Sequence, residues 1–225
     1  MKQKNLRLEE GRKLSPKKRI STAVIHRLPK YYRHLGELID TGVQRISSRD
    51  LSLRMRVTAS QIRQDLNHFG GFGQQGYGYN VNSLYNEIGK ILGLGKIHNI
   101  VIVGGGNLGH ALAHYQYFRH RGFHIIGVFD KDEARIGKEI GDIKIMDVET
   151  LPAFIKENNV EIGAIAIPKS EAKRMAELLV ENGVKQIWNF AHLDLHLGDD
   201  VIVENVNLTE SLMRLSFRAA LEQKK

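Results

Sequence analysis

The 225-residue sequence predicts an α/β protein of two domains, a winged helix-turn-helix domain followed by a Rossmann-type, doubly wound parallel sheet. Two observations predict this: an excess of positive charge in the first 96 residues, and a glycine-rich strand–turn–helix pattern that begins only at Val101. Residues 1–96 contain 18 Lys and Arg against 7 Asp and Glu (18 − 7 = +11), whereas residues 97–225 contain 15 against 18 (15 − 18 = −3). The basic first part therefore predicts a polyanionic partner, and the second part predicts a nucleotide-binding domain.

The composition excludes several classes of protein. There is no cysteine, so a disulfide framework, a zinc–thiolate site and a thiol redox sensor are impossible. Residues 1–20 are polar and basic without an apolar core, which predicts a disordered, charged leader and not a signal peptide. No apolar run approaches the length that spans a membrane, so we expect a cytoplasmic protein.

The first helix is predicted to follow Ser21 and to end at Gly42. Its apolar positions recur at helical spacing. The stripe consists of Ile25, Leu28, Tyr32, Leu35, Leu38 and Ile39. Pro29 interrupts this stripe, so we expect either a kink or a helix that begins late.

Two short helices then predict a helix-turn-helix. The first of them starts at Ser47 and Ser48, which are good N-cap residues, and continues to about Met55. The second, at 61–69, is capped by Thr58 or Ser60 and has the position of a recognition helix, which places its N-terminal side chains in the major groove. The residues expected to face the core are Ile62, Leu66 and Phe69.

Polar side chains of this region are the candidate DNA contacts. Arg63 suits guanine, whereas Gln64 or Asn67 suits adenine. The candidate DNA-binding residues are Ser47, Ser48, Thr58, Ala59, Ser60, Gln61, Arg63, Gln64, Asn67 and Tyr77. The alternative is that they are ordinary polar residues on a small helical bundle, and the charge bias favours DNA binding.

A segment rich in glycine and aromatic residues, 70–79, predicts a β-hairpin with its turn at 74–76. Phe72, Tyr77 and Tyr79 occupy alternating positions, which argues against a flexible loop. A hairpin after a recognition helix commonly forms a wing over the minor groove.

Residues 81–94 predict a connecting helix that Gly93 and Gly95 terminate. We therefore expect the winged-helix domain at 21–82 and a connecting helix with linker at 83–96.

The most informative motif is Gly104-x-Gly106-x-x-Gly109, which follows the apolar run 101–103. Gly104 permits the tight turn, Gly106 lets the backbone approach a pyrophosphate, and Gly109 lets the following helix pack on the strand. Asp130 ends the next apolar run, where a carboxylate can accept both ribose hydroxyls of an adenosine. Such a carboxylate repels a 2′-phosphate, so the motif favours NAD over NADP; a purely structural turn is the alternative.

Strands and helices continue to alternate after the glycine turn, which predicts a parallel sheet. The predicted elements are a helix with Leu108, Leu112 and Tyr115 on one face, a helix from Thr150 through Ile155, a strand at 160–167, a helix from Ser170 to Asn182 and a strand at 184–190. Ligands of such sheets bind beyond the carboxyl ends of the strands. This makes Ile167-Pro168 and Asn189-Phe190 candidates for the nicotinamide side of the site, with core packing as the alternative.

The last predicted helix is capped by Thr209 and runs to about Glu222. Its apolar residues form two adjoining stripes, Leu212, Leu215, Ala219 and Met213, Phe217, Leu221. A helix with so wide an apolar surface needs a partner, which is either another chain or the core of its own chain.

An NAD-dependent enzyme is the alternative function. A dehydrogenase needs a proton donor and a substrate-binding group beside the nicotinamide, and His110, His114 and His124 lie near the glycine turn in sequence. No further domain supplies a substrate pocket, so we interpret them as surface or packing residues and predict no enzymatic activity. The histidines also lack carboxylates at ligand spacing, so no metal is predicted.

The order of these motifs resembles Rex, the redox-sensing transcriptional repressor family of bacteria. The resemblance covers the chain from about Ser21 to the C-terminus. The matching stretches are 27–33, 46–48, 57–66, 69–73, 76–79, 106–115, 129–130 and 189–191.

The resemblance implies a homodimer that binds double-stranded, palindromic operator DNA and that NADH, but not NAD, releases. It implies a Rossmann domain at 97–206 and a C-terminal helix, 207–225, that is swapped between subunits. The implied cofactor-binding residues are Gly104, Gly105, Gly106, Asn107, Leu108, Gly109, Asp130 and Tyr115. The implied switch residues are Arg33, Tyr115 and Asn207, of which the last would exchange partners between the other two.

Three positions depart from the family pattern. Gln74-Gln75 stands where the wing usually carries basic residues, and Gln64 stands where a lysine is usual. Asn207 replaces an acidic residue; it can still hydrogen bond to Tyr115 or Arg33 but brings no charge, so the charge-assisted part, of order 1 kcal/mol or more, would be lost from the switch. The second half is also similar to the coenzyme A-binding domain of acyl-CoA ligases, but Asp130 suits a free ribose diol and argues against that ligand.

Overall fold

The computed structural model describes residues 21–69, 73–74 and 77–222, and its contacts divide the chain into two units after Leu94. The leader at 1–20, Phe72, most of the expected wing turn and the last three residues lie outside the described residues.

The N-terminal unit is built from short helices and a small sheet. Its elements are α1 (Thr22–Asp40), β1 (Arg45–Ile46), α2 (Ser48–Met55), α3 (Ala59–Asn67), β2 (Gly73–Gln74), β3 (Gly78–Asn80) and α4 (Val81–Ile91). Ser21, Ser47, Thr58 and Asn80 cap the four helices, because each side-chain oxygen accepts a backbone N–H of the first turn.

Helix α1 differs from its prediction in where it begins and which face it buries. It starts at Thr22 and contains Pro29, so the expectation of a late start is wrong. Ile25 is 51% exposed, and the buried face consists of Val24, Leu28, Tyr31, Leu35 and Leu38. The cap at Ser21 and this packed face hold the helix together around the missing amide of the proline.

The wing is a hairpin of β2 and β3, and β1 adds to it as a third strand in the order β1-β3-β2. The two-residue strand β1 was not predicted, because so short a run has no periodicity. Helix α4 contributes Val81, Leu84 and Ile88 to the same core as Leu28 and Leu66. The segment expected to be a connection at 83–96 therefore belongs largely to the N-terminal unit.

The C-terminal unit is a seven-stranded sheet within the described residues, in the order β10-β9-β8-β4-β5-β7-β6. The strands are β4 (His98–Val103), β5 (Phe123–Asp130), β6 (Glu139–Ile140), β7 (Ile143–Asp147), β8 (Ile162–Ile165), β9 (Gln186–Asn189) and β10 (Ile202–Asn205). All pairs are parallel except β6–β7. The chain proceeds from β4 to β5 on one side and returns to β8 on the other, so β4 lies at the topological switch point where such sheets bind ligands.

The helices of this unit are α5 (Asn107–Ala113), α6 (Leu151–Asn158), α7 (Lys169–Glu181) and α8 (Leu208–Glu222). Helix α5 ends before Tyr115, which instead precedes a 3₁₀ helix, Gln116–Arg121. The expectation that Tyr115 continues the helical face of Leu108 and Leu112 is therefore wrong.

Helix α8 exposes its apolar side chains. Those more than half exposed are Leu208, Leu212, Met213, Leu215, Phe217 and Leu221. The alternative that α8 packs into the core of its own chain is therefore wrong, and its apolar surface has no cover among the residues that the structure describes. Its cap is Asn207 and not Thr209, because the Asn207 Oδ1 accepts the Thr209 N–H at 3.0 Å.

Candidate functional site

The glycine turn after β4 depends on two glycines for steric reasons. Gly104 has a φ of +107°, and a Cβ there would lie 2.5 Å from the carbonyl oxygen of Ala166. A Cβ at Gly109 would overlap the carbonyl oxygen of Gly104. Both positions therefore require glycine for the turn and for the close packing of α5 on the strand.

Gly106 has a different role, because a Cβ there would meet a single atom, at ordinary van der Waals distance. It is the N-cap of α5 and provides no side-chain cap for the first-turn amides. The atom nearest to a Cβ built there is the Arg135 Nη1, at 3.7 Å. The absence of a side chain at this position therefore leaves space beside exposed backbone, as a bound pyrophosphate requires.

A cavity of about 750 Å³ lies at the carboxyl ends of β4, β5 and β8. Its lining includes Gly104, Gly106, Asp130, Lys131, Asp132, Arg135, Glu149, Ile167, Pro168, Glu171 and Arg174. Backbone at a glycine turn, a carboxylate and an apolar wall at Ile167 are the features that a dinucleotide uses. The residues present fit such a cofactor.

Asp130 is 7% exposed and holds the glycine turn directly. Its Oδ2 accepts the Gly105 N–H at 2.7 Å and the Arg135 Nη1 at 3.1 Å, and its Oδ1 accepts the Asp132 N–H at 2.9 Å. Burial by itself raises the pKa of Asp130, but the hydrogen bonds from the Asp132 and Gly105 amides and from Arg135 outweigh it and hold the pKa below its ordinary value. Asp130 is therefore a carboxylate in the folded protein at neutral pH.

The structure places the other cofactor candidates in two groups. Gly105 is buried and close to Ile145, while Asn107 and Leu108 form the first residues of α5 beside the turn. Tyr115 is 53% exposed and packs against Phe118, and it lines a separate cavity with His114 and Arg119. Within this chain, the structure does not bring Tyr115 to the cavity that Asp130 lines.

Ile167-Pro168 and Asn189-Phe190 have different surroundings. Ile167 and Pro168 line the cavity at the strand ends. Asn189 is fully buried, and its Nδ2 donates to the Leu193 carbonyl and to the Asn205 Oδ1. Asn189 therefore has the contacts of a packing residue.

The lining of the cavity at Asp130 does not include the three histidines near the turn. His110 and His114 are exposed and face each other with ring centroids 6.3 Å apart, and His124 is half-buried. Among the described residues, no carboxylate hydrogen-bonds to any of them, and no group of three His, Asp or Glu side chains could hold a metal ion. None of the helices in residues 21–69 and 77–222 combines the length and the apolar composition of a membrane-spanning segment.

The outer face of α3 carries four of the ten candidate DNA contacts. Ser60, Arg63, Gln64 and Asn67 are exposed. The Arg63 Nη1 donates to the Ser48 Oγ at 3.0 Å, which joins the recognition helix to the start of α2 and restricts where the guanidinium can point.

Gln61 is partly buried and donates into a buried network. Its Nε2 donates to the Oδ1 of Asp65, which is fully buried in α3. Arg27 of α1 makes a bidentate pair with the same carboxylate at 2.6 and 2.9 Å, and the Tyr31 hydroxyl donates to it at 2.9 Å. Sequence analysis missed Asp65, because its main partner lies 38 residues away; the available signal was the single acid in a helix otherwise assigned to DNA contact.

The remaining candidates near the DNA face include two helix caps. Ser47 and Thr58 accept backbone N–H groups of α2 and α3, so they set the helix ends. Tyr77 is exposed, and the guanidinium of Arg45 lies 5.9 Å from its ring centroid. Arg45, which sequence analysis did not select, thus adds a cation beside the wing.

The switch candidates lie in different units. Arg33 is exposed on α1, with its Nε 3.8 Å from a carboxylate oxygen of Glu37. Asn207 caps α8, since its side-chain oxygen accepts the Thr209 and Glu210 amides. An aspartate could make the same cap, so the asparagine is not required by the helix.

Two family models match the chain. Residues 95–193 match the family described as "CoA binding domain", and residues 19–67 match "Putative DNA-binding protein N-terminus".

The chain is similar to known repressors over nearly its whole length. The redox-sensing transcriptional repressor Rex of Thermoanaerobacter pseudethanolicus is 53% identical over 93% of this chain and 94% of its own length. The protein of the same name from Clostridioides difficile is 56% identical over 89% of this chain and 95% of its own.

Solved structures show the same similarity. The crystal structure of RSP in complex with β-NAD⁺ and operator DNA is 54% identical with a TM-score of 0.86, covering 91% of this chain and 94% of that chain. The structure of RSP in complex with β-NADH is 51% identical with a TM-score of 0.85, covering 92% and 97%.

Proposed function

The chain belongs to the Rex family of redox-sensing transcriptional repressors, and we propose that it binds a palindromic operator as a homodimer and is released from it by NADH. The observation that carries this proposal is that one chain combines the exposed face of α3 with a glycine turn held by Asp130. A relative of the same fold at 54% identity, RSP, was crystallised with both β-NAD⁺ and operator DNA.

We assign sequence recognition to α3. Arg63 reads a guanine from a position that Ser48 restricts, and Gln64 and Asn67 reach neighbouring base edges. Ser47 and Thr58 hold the ends of the two helices, and Tyr77 with Arg45 contacts the minor groove from the wing. Positive charge over the rest of the unit supplies phosphate contacts that position the protein without reading sequence.

We assign cofactor binding to the cavity at the strand ends. The backbone at Gly106 faces the pyrophosphate of NADH or NAD, and Asp130 accepts a hydroxyl of the adenosine ribose. The cofactor supplies only its redox state as a signal, and the protein's own groups do no chemistry on it.

We propose that the cofactor controls the spacing of the two recognition helices in the dimer. A symmetric dimer reads half-sites about one helical turn apart or a multiple of it, so a change in spacing abolishes simultaneous contact. Tyr115, Arg33 and Asn207 are the residues through which the bound state would be communicated. The swapped helix α8, whose apolar side chains are exposed in the single chain, would bury that surface against a partner subunit.

We propose that the protein is not an enzyme. His110, His114 and His124 have no carboxylate partner among the described residues, so none is oriented as a general acid. Measurable hydride transfer from NADH to any small carbonyl compound would contradict this.

A second candidate is a Rex-type repressor with weak or absent redox switching. Asn207 favours it, because an asparagine carries no negative charge and cannot form an ion pair with Arg33. In that case the protein would bind both operator DNA and NADH, and each would change the affinity for the other little or not at all.

The experiment that distinguishes the two candidates measures NADH affinity with and without operator DNA. Linkage requires that operator weaken NADH binding by the same factor by which NADH weakens operator binding. A decrease of NADH affinity in the presence of operator, but not of random duplex, is expected. Unchanged NADH affinity with operator bound would contradict switching.

A further inference from the structure

Arg135 lies beside both the carboxylate of Asp130 and the glycine turn. Its Nη1 is 3.1 Å from the Asp130 Oδ2, and the same atom is the nearest neighbour of a Cβ built at Gly106. Its Nε lies 3.4 Å from an Asp132 oxygen. The guanidinium therefore stands where the adenosine end of the cofactor would meet Asp130.

The hydrogen bonds of Asp130 limit what it can do for a ribose. A carboxylate offers about four acceptor sites. Two backbone amides and Arg135 already occupy three of them. Asp130 can thus accept about one more hydroxyl while Arg135 stays in place, and not both ribose hydroxyls as its position alone predicts.

Arg135 has N–H donors that remain available to bind an anion. Its side chain is 45% exposed, and it lines both the main cavity and the adjoining one beside Gly105 and Asn107. The Nη2 makes no hydrogen bond within the described residues. A guanidinium has the fork geometry that binds a phosphate monoester.

The charge at this position is therefore not that of an isolated carboxylate. The positive charge of Arg135, at hydrogen-bonding distance, offsets the negative charge of Asp130. The other cations of the lining are Lys131, which pairs with Glu171 at 2.7 Å, and Arg174. Asp132 and Glu149 also make the lining acidic near Arg135. The guanidinium of Arg135 is therefore the group whose position allows it to raise the affinity of the site for a 2′-phosphate.

We propose that Arg135 determines the selectivity of the site between NADH and NADPH, by weakening the repulsion that Asp130 exerts on a 2′-phosphate and by offering that phosphate a donor. This rests on the proposed function, because it concerns the same cofactor site. It replaces the simple rule that an acid at the end of β5 excludes NADPH.

The test is direct titration of the full-length protein with NADH and with NADPH, followed by nicotinamide fluorescence or calorimetry. For Arg135→Ala, we expect the ratio of the NADPH Kd to the NADH Kd to rise about tenfold, the size of one charge-assisted hydrogen bond. Arg135→Gln, which keeps most of the side-chain volume, should shift the ratio in the same direction. Lys131→Ala is the matched control, since it removes a cation of the same cavity whose ammonium pairs with Glu171 and not with Asp130, and its ratio should change less than about twofold.

An unchanged ratio in both Arg135 variants, or an equal shift in Lys131→Ala, would overturn the assignment to Arg135. Thermal unfolding of each variant establishes that it is folded, and the half-exposed position of Arg135 makes loss of the fold unexpected. Failure of the wild-type protein to bind NADH at all is a different result, which would contradict the proposed function and this inference with it.

Discussion

Asp65 shows how one buried residue orients the recognition helix. It belongs to α3, and its partners Arg27 and Tyr31 belong to α1. Burial by itself raises the pKa of Asp65, but hydrogen bonds from Arg27, Gln61 and Tyr31 outweigh it and hold the pKa below its ordinary value. The ionised form of Asp65 therefore stabilises the folded N-terminal unit.

Replacement of this carboxylate should destabilise the N-terminal unit at neutral pH. We expect Asp65→Asn to cost about 3 kcal/mol, because it leaves Arg27, 23% exposed, without its ion-pair partner. A group whose folded pKa is lowered contributes stability above its unfolded pKa, about 3.9, and loses it as pH falls through the folded pKa. The difference between wild type and variant should thus be constant near neutral pH and shrink below about pH 4.

Hydrogen exchange of the α3 amides at several pH values measures this effect on the unit concerned. Asp40→Asn, an exposed carboxylate of the same unit, is the control and should change little. A difference at Asp65 that does not depend on pH would contradict an ionised role for that residue.

Arg63 is the residue on which sequence selectivity should depend most. We expect Arg63→Ala to weaken operator binding by about 1–3 kcal/mol per lost guanine contact, with a smaller effect on random duplex. Ser48→Ala should reduce selectivity less, because it removes only the hydrogen bond that holds the guanidinium. Anisotropy titrations on both duplexes measure this, and equal losses on both would show that Arg63 contacts only phosphate.

At the scale of elements, two glycines of the turn have different roles: we expect Gly109 to be needed for stability and Gly106 for cofactor binding. Gly109→Ala places a Cβ onto the Gly104 carbonyl, so we expect it to destabilise the C-terminal unit by about 3 kcal/mol or more. Gly106→Ala makes only an ordinary van der Waals contact, with the Arg135 Nη1 at 3.7 Å, and should leave stability nearly unchanged, while its methyl group would stand where we propose that the pyrophosphate binds.

Urea unfolding followed by the fluorescence of Trp188, together with NADH titration, measures both effects. Gly106→Ala should lower NADH affinity at least about tenfold, equivalent to about 1.4 kcal/mol. Full NADH affinity in a stable Gly106→Ala protein would mean that the cofactor does not approach this part of the backbone.

Local signals predicted most elements, and distant contacts determined the rest. Ser47 and Thr58 predict the starts of α2 and α3, because a helix cap forms its hydrogen bond within three residues. The short strands β1, β6 and β10 could not be predicted, since they exist only through pairing with a neighbouring strand. The same limit applies to the site: the glycines and Asp130 follow from spacing, whereas Gln61 turning toward Asp65 does not.

At the scale of the whole molecule, the function depends on joining two modules that are each common separately. Gly104 to Gly109 with Asp130 would by themselves indicate an oxidoreductase, and α2 with α3 a simple DNA-binding protein. Their combination over the length of known Rex repressors makes the cofactor a signal. The basic charge of residues 1–96 against the slightly acidic remainder was the signal in the sequence that separated the two roles.

Asn207 tests how strongly the two modules are coupled. We expect Asn207→Asp to strengthen the response to NADH by about fivefold, because a carboxylate adds a negative charge to the hydrogen bond with Arg33 or Tyr115, a gain of order 1 kcal/mol. The cap of α8 is retained, since aspartate accepts the same amides. An unchanged ratio of operator Kd with and without NADH would remove this position from the switch.

The most direct test of the central claim is a titration of the operator complex with NADH and with NAD in parallel, followed by the anisotropy of a labelled operator duplex. We predict that NADH releases the wild-type protein, that NAD at equal concentration does not, and that Gly106→Ala remains bound to DNA in the presence of both. NADH that binds the protein but leaves its operator affinity unchanged would contradict the account.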